Sequence, residues 1–160
     1  MRFAHLILLL SFSSPAVLQR VPDSEERITY EVKSVRTSEG WALDFAIRNR
    51  GRDAISAFRS SLPWASRDAL ILVAVTTGPR PECMREIFFV QDPIPDVVRV
   101  GHGETIAGRV FLKDRFLGWR EALERTDIVV FWSFQLKSSD GPPFERKAGA
   151  FILGARLPAP

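Results

Sequence analysis

The sequence predicts an all-β domain, an antiparallel two-layer sandwich of about eight strands with one short helix near residues 114–125. Two observations carry this. Apolar and polar side chains alternate strictly in "WALDFAIRN" (41–49), where Trp41, Leu43, Phe45 and Ile47 point one way and Ala42, Asp44, Ala46 and Arg48 the other. That period of two marks a half-buried strand. Short strand-like segments also follow one another with Gly-, Pro- and Ser-rich turns between them, without the strand–helix alternation of a parallel sheet. A closed barrel is the nearest competing architecture.

Taken in order, residues 1–19 read as a secretory leader. In "MRFAHLILLLSFSSPAVLQR", Arg2 precedes an apolar run over residues 3–12, and Ser14 and Ala16 follow with small-residue spacing. The run is too short to span a bilayer, which takes about 20 residues, so it has the form of a cleaved signal. No later run is long and apolar enough to hold the chain in a membrane. Residues 20–27 form a flexible polar lead-in, and residues 28–157 make one domain, the number expected of a 160-residue chain.

"ITYEVKSVR" (28–36) starts with alternation, and "SEG" turns the chain into 41–49. "NRGRD" ends that strand, with Gly51 available for a positive φ. "AISAFRSSL" (54–62) reads as a weaker strand. "ALILVAVTT" (69–77) is continuously apolar, as expected of a strand covered on both faces. "REIFFVQ" (85–91) is a further candidate, whereas the prolines of "DPIPD" (92–96) exclude a central strand. "VVRV" leads into "GHG", and "ETIAGRVFLK" resumes as a strand with Ile106, Gly108, Val110 and Leu112 on one side. In "DRFLGWREALER" (114–125), Asp114 is a suitable N-cap, and Phe116, Trp119 and Leu123 form an apolar stripe. "DIVVFWSFQLK" (127–137) is apolar on both faces, and "FERKAGAFILGARL" is the last strand.

Composition narrows the chemistry. The formal charge is +3, falling by one with the leader's Arg2, and the arginines that supply most of the 22 basic residues are interleaved with 19 acids. Nucleic-acid binders concentrate positive charge; only "RNRGR" (48–52) approaches that, and it reads as a solvated hairpin tip. With one cysteine, Cys83, no intramolecular disulfide can form, so packing must stabilise the domain. Without the leader, His102 is the remaining histidine. Flanked by Gly101 and Gly103, it reads as a turn residue rather than a fixed general base. Ser-His-Asp and Cys-His catalysis both need a positioned imidazole, and neither a G-x-S-x-G elbow nor a phosphate-binding glycine motif is present. Asp92, Asp96 and Glu104 lack the regularity of a calcium loop. No metal or cofactor is expected.

"LKDRFLGWREALERTDIVVFWS" (112–133) resembles the part of immunoglobulin-like domains in which a strand passes through a short helical corner into a central strand. Asp127, Val129, Phe131 and Ser133 occupy the alternating positions of that pattern. Phe131 lacks the hydroxyl of a tyrosine corner, and Ser133 cannot make the inter-sheet disulfide. "GHGE" (101–104) is similar to the turn that precedes a strand in bacterial extracytoplasmic immunoglobulin-like modules. The resemblance implies an immunoglobulin-like sandwich.

Trp41, Trp119 and Trp132 lie on apolar stripes and belong to the expected core. Trp64, in "SSLPWASRD", is either a lid on that core or, with Arg59 and Arg67, an interface anchor. The expected function is therefore an exported, non-catalytic binding or accessory module of the cell envelope with a protein partner. The candidate contacts are Trp64, Arg59 and Arg67, then Arg50 and Arg52. One alternative is a small extracytoplasmic hydrolytic or metal-dependent protein using His102 with Asp96 or Glu104. Another is a structural or chaperone-like domain, recognisable by a long unpaired edge strand.

Overall fold

A computed structural model of the chain describes residues 27–87 and 96–154. The expected leader, most of the lead-in, Asp92 and most of the 85–91 strand candidate lie outside the described residues. The strands are β1 (Ile28–Thr37), β2 (Gly40–Asn49), β3 (Ile55–Phe58), β4 (Leu70–Thr76), β5 (Val97–Val100), β6 (Thr105–Phe111), β7 (Ile128–Phe134) and β8 (Lys147–Leu153), with one α-helix, α1 (Trp119–Arg125), before β7. A first sheet has the order β1-β2-β6, a second the order β4-β7-β8, and β3 pairs with β5. Every pairing is antiparallel. The described chain is thus predominantly antiparallel β.

Alternation in β2 is realised over its middle, where Leu43, Phe45 and Ile47 are buried, but Ala42, expected outward, is fully buried as well and Trp41 only half-buried. Opposite them, the second sheet contributes Leu70, Leu72, Ala74, Ile128, Val130 and Phe134 to the same core. Aromatic rings join the two sheets. Phe45 meets Trp132 and Phe134 edge-on at 6.4 and 5.7 Å, and Tyr30 meets Phe134 at 5.5 Å. Each fully buried large apolar side chain contributes about 1.5–3 kcal/mol, so this seam is where most of the stability resides.

Four further details differ from the sequence expectation. The 54–62 strand stops at Phe58: Ser61 Oγ donates to Phe58 O at 2.7 Å, and residues Arg59–Ser61 wind into a 3₁₀ turn. Gly51 does not adopt a positive φ. Its amide instead donates to the Asn49 side chain at 2.9 Å, closing an Asx-type turn. The helix begins at Trp119 and not at Asp114, because Gly118 sits in the left-handed region at φ 67°. Asp114 lies in a separate 3₁₀ turn, and Phe116 forms a bridge with Glu86. Finally, β4 is covered on one face only: Leu72 is 3% exposed, but Ile71 and Val73 are 54% and 43% exposed.

Candidate interaction surface

Trp64 lies in the connection between β3 and β4 and rests on β6. A Cβ built on Gly108 would sit 2.1 Å from Trp64 Cγ, so the indole occupies the space that any other residue at 108 would fill. Its ring also meets Phe45 at 6.4 Å. Half-buried, Trp64 covers the end of the core and keeps one side toward solvent. Arg67 donates to Ile87 O at 2.7 Å and to Asp114 O at 2.6 Å, tying three connections together. Trp64 and Arg67 share a cleft of about 240 Å³ with Arg109, Phe111 and Arg115. Arg59 lies outside that cleft's lining and pairs with Asp96 at 2.5 Å. Arg50 and Arg52 are exposed beyond the end of β2. Of the five sequence-predicted contacts, Trp64 and Arg67 share this cleft.

Each of the acid–base candidates has a partner of its own. His102 is exposed, and its Nδ1 lies 2.7 Å from Gly51 O. A carbonyl can only accept, so Nδ1 carries the proton. Glu104 accepts from the Gly101 amide at 2.7 Å, while Asp96 is engaged by Arg59. Among the described residues, no group of three His, Cys, Asp or Glu is placed to hold a metal ion. Cys83 is exposed and bridges to Val75.

The outward faces of the two sheets differ in chemistry. On the first, Lys33, Asp44 and Arg109 are cross-strand neighbours, and Glu31 pairs with Lys33. Arg109 grips Asp44 through two hydrogen bonds of 2.5 and 2.7 Å. The Arg109 hydrogen bonds hold the Asp44 carboxyl below its ordinary value of 3.8, against a partial desolvation that raises it. On this face Glu31, Lys33, Asp44 and Arg109 are paired with one another.

On the second sheet the outward rows are Ile71–Ser133–Ala148, Val73–Phe131–Ala150 and Val75–Val129–Ile152. None of these positions is charged. Ile71, Val73, Phe131 and Ile152 are 54%, 43%, 49% and 72% exposed. Scattered exposed apolar residues are ordinary, whereas a contiguous group marks an interaction site. Sequence reading missed these four residues, although the signal was present. The apolar run at 69–77 and the segment 127–137, apolar on both faces, have the composition of doubly covered strands, and the described fold leaves Ile71, Val73 and Phe131 exposed.

No family model and no curated protein matches the chain. Among solved structures, it is similar to "the Putative ApaA Protein from Bordetella pertussis", at 12% identity and a TM-score of 0.40 over 79% of this chain and 92% of that one. That likeness is too distant to bear on function.

Proposed function

We propose that the chain is an exported, non-catalytic immunoglobulin-like β-sandwich, serving as a protein-binding accessory module of the cell envelope. The apolar outward face of the second sheet, with Arg146 at its rim donating to Ser133, is its docking surface. The observation that carries this reading is the exposed group Ile71, Val73, Phe131 and Ile152 on strands whose composition calls for a second covering layer. The immunoglobulin-like assignment is supported by strand order. β1-β2-β6 opposite β4-β7-β8 corresponds to the A-B-E and C-F-G strands of a constant-type domain. Export is supported by the apolar leader sequence of residues 1–19. Trp64 and Arg67, which share the cleft beside β6, would add a second, more polar contact.

The test is affinity capture of the tagged mature chain from its own cell envelope, alongside Val73→Asp and Phe131→Asp variants. Both positions face outward, so folding should survive, as a thermal melt would verify. The expected result is one specific protein, recovered at least about tenfold less with either variant, as for the loss of a central contact. Equal recovery by wild type and variants would remove the face from the interaction. A mature chain retaining residues 1–19 by intact mass would remove the export reading.

A further inference from the structure

We propose that the cleft between the β1–β2 turn and α1 is a binding site for a small planar aromatic carboxylate. The cleft measures about 330 Å³, at the small end of the range for small-molecule sites. Its walls are fixed by contacts the fold already makes. Thr37 Oγ1 donates to Gly40 O at 2.9 Å and accepts from the Glu39 amide at 3.1 Å, which sets the β1–β2 turn. Lys113 Nζ donates to Glu39 Oε2 at 3.0 Å and ties that turn to the chain before α1. On the α1 side, Trp119 is 4% exposed, and Phe116 stacks on its ring at 5.8 Å. A site held in this way loses little conformational freedom when a ligand enters. The rim is open: Arg36, Lys113, Arg120 and Glu124 are all exposed.

The chemistry of the ligand follows from the lining. Trp41, Trp119 and Leu123 supply apolar surface, and indole rings favour a flat aromatic body over a branched one. Arg36 and Arg120 supply the charge. Arg36 stands in register with Trp41 across the β1–β2 ladder, which sets both side chains on one side of the sheet. Arg120 follows Trp119 in α1. Among the described residues neither guanidinium is hydrogen-bonded or ion-paired, whereas Lys113 is engaged by Glu39. Glu124 is the remaining acid of the lining, so positive charge is in excess. A guanidinium fork matches a carboxylate with two parallel hydrogen bonds. The Trp119 Nε1 is buried with no hydrogen-bond partner among the described residues, a donor that the fold leaves unsatisfied on a residue of the cleft wall. None of Ile71, Val73, Phe131 and Ile152 lines the cleft, so the site does not rest on the proposed docking face.

Titration of the chain with naphthoate, followed through the indole N–H resonances by nuclear magnetic resonance, tests the proposal. The Trp41 and Trp119 resonances should move together, with a dissociation constant of about 0.1–1 mM, while those of Trp64 and Trp132 stay in place. Naphthylmethanol, similar in shape but uncharged, should bind about tenfold more weakly. Arg36→Gln and Arg120→Gln should each weaken naphthoate about three- to fivefold, the scale of an exposed charge pair, and leave naphthylmethanol unchanged. Glu124→Gln should tighten naphthoate binding. All three positions are exposed, and circular dichroism would verify that the variants fold. Equal affinity for the two probes, or indifference of naphthoate to both arginine substitutions, would overturn the proposal. So would an absence of response at Trp41 and Trp119 up to about 10 mM naphthoate. Loss of binding in Val73→Asp with full retention in Arg36→Gln would also overturn it, by moving the probe to the outward face of the second sheet.

Discussion

Trp64 and Gly108 form a lock whose two halves lie far apart in the chain. The added methyl of Gly108→Ala would meet Trp64 Cγ at 2.1 Å, so the indole must leave its seat. The expected cost is about 1–3 kcal/mol, typical of overpacking, measured by urea unfolding. In a Trp64→Ala background the same substitution should cost almost nothing, and the double-mutant cycle isolates the contact. Asp44 and Arg109 support a pH prediction. Because Arg109 lowers the folded-state pKa of Asp44, the stability from this pair is present above the ordinary value of 3.8 and is lost as pH falls through the lowered one. Asp44→Asn should therefore be less stable than wild type near neutrality, with the gap closing in unfolding curves as the pH falls below the ordinary carboxyl value of 3.8. Neither contact was legible beforehand. Gly108 read as one more strand position and Trp64 as a choice between lid and anchor, because their meeting depends on tertiary placement.

At the scale of elements, Arg115 organises the connections beside β4. It is 4% exposed, donates to Glu86 at 2.9 and 2.5 Å, and donates to Leu70 O at 2.9 Å. Glu86→Ala would leave this guanidinium buried without its counter-charge and should cost about 3 kcal/mol. Adding Arg115→Met should recover part of that loss in the same unfolding assay. The pair also explains the late start of α1. Phe116 and Arg115 are held against the segment around Glu86, so the chain cannot coil until Gly118 turns it. The apolar stripe Phe116–Trp119–Leu123 was visible in the sequence, but a partner at Glu86 was not. Asn49 was overlooked for the same reason. Fully buried, it donates to Asp53 O at 2.8 Å and Val100 O at 3.0 Å, and only the folded chain brings β5 to it.

For the whole molecule, local alternation carried the fold class, since Leu43, Phe45 and Ile47 need only their own strand to declare a buried side. The candidate surface was harder to see, because an apolar strand looks the same whether its second cover is an internal layer or another protein. Ile71 and Val73 are exposed, so no internal layer covers them among the described residues. The ring of Phe45 has a consequence for how the molecule comes apart. It touches Trp132 and Phe134 of the facing sheet and Trp64 of the crossing connection. Prying away any of these three neighbours uncovers the same ring, so neither layer has a private path to melting. The two sheets share a single hinge of disassembly, and ligation on one should slow breathing in both.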